Sequence, residues 1–150
     1  MTLDTGEPAP SITAPNQDGE KAEPSFAEPT VLYFYPRDDT PGCTTEATQF
    51  AAEYESYREA GVAVYGVSTD DVSSHREFAA DQELPFELLA DPDGEVAVAF
   101  GVPHEDGAAD RTTFVIENVE IEAVYEGVDP DGHPRTVLSE LLDQDAVNLD

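Results

Sequence analysis

Chemistry in this chain is concentrated in one stretch, Pro36-Arg-Asp-Asp-Thr-Pro-Gly-Cys43-Thr-Thr-Glu46, which contains the only cysteine. Cysteine reacts as the thiolate, so its use as a nucleophile depends on surroundings that favour an anion. Thr40 is a good helix N-cap and Pro41 suits the first helical position. Cys43 therefore falls in the first turn of a helix, where unpaired amide hydrogens and the helix dipole attract negative charge. A lone cysteine elsewhere would read as a small buried hydrophobe; one held at a helix N-terminus reads as a candidate nucleophile. His75, His104 and His133 show no metal-ligand spacing, and without a second cysteine a zinc site would have to draw on scattered carboxylates. No metal and no other cofactor is expected.

The elements that position this stretch follow from the hydrophobic pattern. Thr30 to Tyr35 (TVLYFY) is β-branched and aromatic with almost no polar alternation, as in a strand buried on both faces, and Pro36 ends it. Thr44 to Gly61 carries Ala47, Phe50, Ala51, Tyr54 and Tyr57 at helical spacing, closed by a glycine. Val62 to Ser68 is a second buried strand, and Asp70 or Asp71 caps a helix reaching about Asp81. Strand, helix, strand, helix in succession favours parallel strands in a three-layer α/β domain. Cys43 then lies at the carboxyl end of a strand, where such sheets build their sites. Farther on, Glu95 to Phe100 reads as a short helix, Thr112 to Glu117 and Glu120 to Tyr125 as an antiparallel pair joined at Asn118, and Pro134 to Leu142 as a last helix. Residues 1–28 read as an irregular arm or hairpin and residues 144–150 as a tail of one domain. The two DPDG strings, Asp91 to Gly94 and Asp129 to Gly132, are turns, since neither continues into a calcium loop.

Composition narrows the partners. Thirty-four acidic residues stand against six basic ones, for a formal charge of −28, so nucleic acid would be repelled. The carboxylates are dispersed rather than gathered in a tail. Such a surface repels itself in dilute buffer, while at about 1 M salt the Debye length falls to about 3 Å and screens it. The pattern fits a salt-rich cytoplasm, with an acidic protein of ordinary surroundings as the plainer alternative. The N-terminal MTLDTGEPAPS lacks the basic and apolar regions of a signal peptide, and no apolar run approaches the ~18 residues of a membrane span. A cytoplasmic location without membrane attachment is expected.

The segment PRDDTPGCTTEA resembles the active site of peroxiredoxins, in particular the branch named after the bacterioferritin comigratory protein, whose motif runs Pro, three residues, Thr, two residues, Cys. Gly6, Ala9-Pro10 and Asp18-Gly19 are similar to that family's N-terminal arm, Gly66-Val-Ser68 and Asp70 to its next strand and turn, and Arg111-Thr-Thr-Phe-Val-Ile-Glu117 to its arginine-led strand. The resemblance spans nearly the whole chain. It implies a thioredoxin-like three-layer α/β/α sandwich and reduction of hydrogen peroxide or alkyl hydroperoxides. It also implies roles for residues: Cys43 as peroxidatic nucleophile, Thr40 as hydroxyl donor to thiolate and peroxide, Pro36 as a shield from water, and Arg111 as the cation of the site. Arg111 is the only arginine leading directly into a strongly β-like segment; Arg37, Arg58, Arg76 and Arg135 are expected to meet solvent or surface carboxylates. Glu46 matches an acidic or amide position of the family that could orient Arg111, and is nearly as well explained as an exposed residue of the first helical turn.

Free cysteine, with a pKa of about 8.5, is roughly 3% thiolate at pH 7, so full deprotonation gains only about 30-fold. Further acceleration must come from aligning the peroxide and stabilising charge across its O–O bond, work that falls to Thr40 and Arg111. The chain departs from many relatives in having Thr48, not a second cysteine, five residues after Cys43. The sulfenic acid is therefore expected to meet an external thiol, from a small molecule or a thioredoxin-like protein, with Cys43 of a second subunit ranked last, and the protein to be a monomer or weak homodimer. A non-enzymatic peroxide sensor using the same cysteine is the alternative from another class. A thioredoxin-type reductase would require Cys-x-x-Cys where this chain has Cys43-Thr-Thr-Glu46. Gly101 to Asp110, with His104 and Gly107, reads as a surface loop or a border of the substrate mouth.

Overall fold

The structure, a computed structural model, describes residues 2–38, 40–104, 108–127 and 129–145. Residues Thr30–Phe34 (β3) are buried throughout and form the centre of a five-stranded sheet. On one side β3 pairs in parallel with Ala63–Ser68 (β4), which pairs in parallel with Glu87–Ala90 (β5). On the other side it pairs antiparallel with Thr112–Glu117 (β6), and β6 with Glu120–Glu126 (β7). Two short strands, Ala14–Pro15 (β1) and Lys21–Ala22 (β2), make a separate antiparallel hairpin in the N-terminal arm.

Side chains of a strand alternate between faces, and β3 feeds two apolar layers accordingly. Val31, Tyr33 and Tyr35 pack with Pro41–Glu59 (α1), Val72–Gln82 (α2) and His133–Asp145 (α4). Leu32 and Phe34 pack with Glu95–Phe100 (α3) and with Ala9, Ile12 and Phe26 of the arm. This is the three-layer arrangement expected from the strand and helix order. Gly66 in β4 is required by that packing, because a Cβ there would lie 2.9 Å from the Tyr33 ring and from a Leu88 methyl.

The expected helices are present. Helix α1 begins at Pro41, earlier than its apolar stripe, and Gly61 ends it at φ +77. Asp71 caps α2, accepting from the Ser74 amide at 2.8 Å. Asp91 accepts from the amides of Val96 and Ala97 at 2.9 and 3.0 Å, so the first DPDG turn serves as a cap for α3. Strand β5 has no counterpart in the sequence-based expectation. Its outer edge is covered by the arm: the Gln17 side chain accepts from Leu88 N at 2.9 Å and donates to Phe86 O at 3.2 Å, occupying groups that would otherwise invite another strand. Among the described residues, no helix is long and apolar enough to cross a membrane.

Candidate active site

Strand β3 delivers the chain to half-buried Pro36, and the loop after it enters α1 through Thr40, whose extended backbone (φ −95, ψ 154) makes it the N-cap. The Thr44 amide donates to the Thr40 carbonyl at 2.8 Å, closing the first turn around Cys43. The cap is formed by backbone alone: the Thr40 hydroxyl donates to Arg37 O at 3.1 Å, a local bond of the kind threonine makes beside a helix start, and is not aimed at the sulfur. Cys43 is 1% exposed and packs with Tyr33, Tyr35 and Phe50.

Arg111 immediately precedes β6. Because Thr112 pairs with Phe34, Arg111 stands where β3 gives way to the loop. Its Nη2 lies 3.5 Å from Cys43 Sγ and its Nη1 donates to Glu46 Oε1 at 2.6 Å. The guanidinium also passes over Gly42, where a Cβ would lie 3.2 Å from Nη2 and 3.5 Å from Pro130 Cγ. Glycine before the cysteine leaves the cation's path uncrowded. Arg58 and Arg135 instead pair with Glu55 and Glu53 on the surface, as expected.

Glu46 is fully buried, so of its two readings the exposed one falls away; α1 turns it inward against Arg111. Burial outweighs the pairing with Arg111 and raises its carboxyl to about 7, while its second oxygen has no hydrogen-bond partner among the described residues. For Arg111 burial disfavours the charge, but the charges and hydrogen bonds of Glu46 and Cys43 outweigh it and raise its pKa. The site can therefore present a permanent cation beside a sulfur at a helix N-terminus.

Two further groups escaped sequence reasoning. His133, on α4, is held at about 4 by burial and by the charge of Arg111; its Nε2 is 2.8 Å from Thr113 Oγ1 and its ring meets Phe50 and Tyr125 edge-on. His75, on α2, is enclosed with Asp38 and Asp70, whose donor atoms all lie within 4.8 Å of one another. The signal was present for His75, which shares the buried face of α2 with Phe78 and Ala79; for His133 there was none. His104 lies over Gly94 at the start of α3, and residues 105–107 of its loop, Gly107 included, fall outside the described residues.

The profile of the AhpC/TSA family matches residues 5–123. The putative peroxiredoxin bcp of Coxiella burnetii is 38% identical over 94% of this chain and all of its own length. Chloroplastic peroxiredoxin Q of Triticum aestivum is 42% identical over 75% of this chain, which spans 54% of that longer protein. A solved structure of the Xanthomonas campestris bacterioferritin comigratory protein, whose trapped intermediate and ligand complexes bear on alkyl peroxide reduction, superposes with a TM-score of 0.82 at 31% identity, over 89% of this chain and 91% of that one. With a thioredoxin-like sheet, an arginine over the only cysteine and relatives of this kind, the chain belongs to the AhpC/TSA family as a peroxiredoxin of the bacterioferritin comigratory protein and Q branch, a thiol peroxidase.

Proposed function

We infer that Cys43 reduces hydrogen peroxide and alkyl hydroperoxides in a one-cysteine cycle completed by an external thiol. The observation that carries this reading is the approach of the Arg111 guanidinium, fixed by Glu46, to the sulfur of the chain's only cysteine at the start of α1. The Cys43 thiolate attacks the terminal oxygen of the peroxide; the S–O bond forms and the O–O bond breaks. Water or alcohol leaves after taking a proton from solvent, and Cys43 is left as the sulfenic acid. Arg111 faces the charge moving from sulfur to the leaving oxygen, and the Thr40 hydroxyl turns from Arg37 O toward sulfur and peroxide. Pro36 closes the water side of the pocket. A small-molecule thiol or a thioredoxin-like protein then condenses with the sulfenic acid, releasing water, and a second thiol frees Cys43 as the reductant's disulfide departs.

Position 48 supports this cycle. Thr48 lies within continuous α1 with its hydroxyl bonded back to Thr44 O at 2.8 Å. Helix residues five apart have Cα atoms about 8 to 9 Å from each other, beyond the ~7 Å reach of a disulfide, so an internal bridge there would need the helix to unwind. A monomer or weak homodimer without nucleic-acid or membrane partners, working in the cytoplasm, completes the reading; the charge of −28 favours it. Intact-mass spectrometry after stoichiometric peroxide is the test. A monomer that dimedone labels at Cys43 is expected, with conversion to the sulfinic acid under excess peroxide. A predominant disulfide-linked dimer, or no dimedone adduct, would overturn the cycle. Turnover over many equivalents of peroxide separates it from a sensor that reacts once.

A further inference from the structure

The loop that carries Pro36 and Thr40 into α1 is anchored at Asp38 by a set of bonds that the chemistry at Cys43 leaves unexplained. The Asp38 amide donates to Asp70 Oδ2 at 2.7 Å, an oxygen that also accepts from Ser68 Oγ at 2.7 Å at the end of β4. The Asp38 side chain, 3% exposed, accepts from the Tyr35 hydroxyl at 2.6 Å and the Ser74 hydroxyl at 2.7 Å, and lies 2.7 Å from His75 Nδ1. The other ring nitrogen of His75, which is wholly enclosed, lies 3.0 Å from the Leu89 carbonyl of β5. The Tyr35 ring flanks the imidazole at 6.3 Å.

Counting donors assigns one proton of His75. The Leu89 carbonyl can only accept, so Nε2 carries a hydrogen. At Asp38, burial opposes ionisation, but the hydrogen bond and charge of His75 and the bonds from Tyr35 and Ser74 outweigh it and hold the carboxyl below its usual range. The 2.7 Å contact of Nδ1 with that carboxyl is a hydrogen bond between two enclosed polar groups. Such a bond is a weak source of net stability, because folding gives up bonds to water to make it. What it supplies is direction: its bonds join the loop to β4, β5 and α2 at one point.

We propose that His75 and Asp38 form a buried hydrogen-bonded clamp that positions the Pro36 to Thr40 loop for reaction with peroxide, His75 acting through Asp38 as a positioning residue. The proposal rests on peroxide reduction at Cys43. The clamp grips the approach to α1 from the α2 side, while Arg111, just before β6, reaches Glu46 and Cys43 of α1 from the other. Thr40 is two residues from Asp38, and its hydroxyl must reach the sulfur and the peroxide together; a misplacement of about 1 Å in such an arrangement can cost about a hundredfold in rate.

The test uses the full chain in molar potassium chloride, with the parent, His75→Leu, Asp38→Ala, their double variant, and Asp38→Asn as the rescue. Stopped-flow reaction of the reduced protein with hydrogen peroxide is expected to slow tenfold or more in His75→Leu and in Asp38→Ala. The double variant should be no slower than the slower single, and reaction of the oxidised protein with a thiol should stay within threefold of the parent. Asp38→Asn, whose amide can donate to a neutral Nδ1, is expected to recover most of the rate lost in Asp38→Ala. The imidazole 15N spectrum should show His75 protonated at Nε2 in the parent and in Asp38→Asn. A folded His75→Leu that reacts with peroxide within threefold of the parent would refute the clamp, as would an unprotonated Nε2 in the parent or a parallel loss in the thiol step. Where His75→Leu fails to fold, Asp38→Ala and the parent spectrum decide. A parent that does not consume peroxide would instead refute the underlying function.

Discussion

Glu46→Gln separates the two things Glu46 brings to the site, its shape and its charge. Glutamine keeps an oxygen where Glu46 Oε1 accepts from Arg111 Nη1 at 2.6 Å and places its nitrogen where the second oxygen has no partner. The carboxyl it replaces is raised by burial from an ordinary 4.5 to about 7. The folded state holds this proton more tightly than the unfolded chain. Glu46 therefore favours folding most fully below about pH 4.5, and that contribution is lost as pH rises through 7. At 1.36 kcal/mol per pH unit the whole effect is about 3 kcal/mol, of which about 2 to 3 kcal/mol falls between pH 5 and pH 8. His133 works in the opposite sense. Burial and Arg111 lower it from 6.5 to about 4, so its contribution is present above 6.5 and lost as pH falls toward 4. In the parent the two slopes offset over much of that window, and removing Glu46 exposes the second.

The assay is urea unfolding of parent and variant at several pH values in molar potassium chloride. The stability of Glu46→Gln relative to the parent should rise by about 2 to 3 kcal/mol from pH 5 to pH 8, and the variant should lose stability more steeply than the parent as pH falls from 6.5. A difference that stays constant within about 0.5 kcal/mol would mean that Arg111 holds Glu46 ionised throughout, and the account of this pair would be wrong. In peroxide turnover the variant should stay within tenfold of the parent, since Arg111 keeps its anchor.

Cys43→Ser should abolish turnover in a steady-state assay, and substantial residual activity would remove Cys43 as the nucleophile. Arg111→Ala and Thr40→Val should each lower kcat/KM more than 30-fold, a loss of about 2 kcal/mol in transition-state stabilisation that thiolate formation alone could not supply. Gly42→Ala should cost several-fold in kcat/KM with little change in Tm, because its Cβ would crowd Arg111 Nη2 at 3.2 Å while the backbone can keep its helical path; unchanged kinetics would show that the guanidinium tolerates displacement. Lowering potassium chloride from molar to millimolar should lower the Tm followed by circular dichroism, given 34 acidic residues against six basic, and an unchanged Tm would show that the acidic surface is tolerated without salt.

Most of the scaffold was legible because it obeys period and punctuation. TVLYF has no polar face to place, so it had to be a central strand, and the α1 stripe closed by Gly61 could be read as helix directly. Strand β5 was not legible: its sequence, ELLA, is too short to show a period, and it is a strand because β4 pairs with it. At the site, Cys43 and its helix could be read from spacing, whereas the inward turn of Glu46 depends on which side of α1 meets Arg111, a long-range contact. The Asp38 to His75 bond joins residues 37 apart, and only the parallel alignment of β3, β4 and β5 brings them together.

The same geometry bears on how a sulfur that is 1% exposed can meet a thiol from outside. Relatives that bridge the first cysteine to a partner five residues on must unwind the helix between the two, a cost carried by the helix itself. In this chain the obstruction is smaller. Gly42 offers no side chain, Thr40 and Gly42 are partly exposed, and the guanidinium of Arg111, 3.5 Å from the sulfur and itself 16% exposed, is anchored at Nη1 to a carboxyl that burial raises to about 7. In the proposed cycle, rotation of this one long side chain would open the sulfur while α1, with Thr48 bonded back into it, stays helical. The proposed one-cysteine cycle is thus compatible with an intact first helix: the group beside Cys43 is a single side chain held at Nη1 by Glu46, not a turn of the helix.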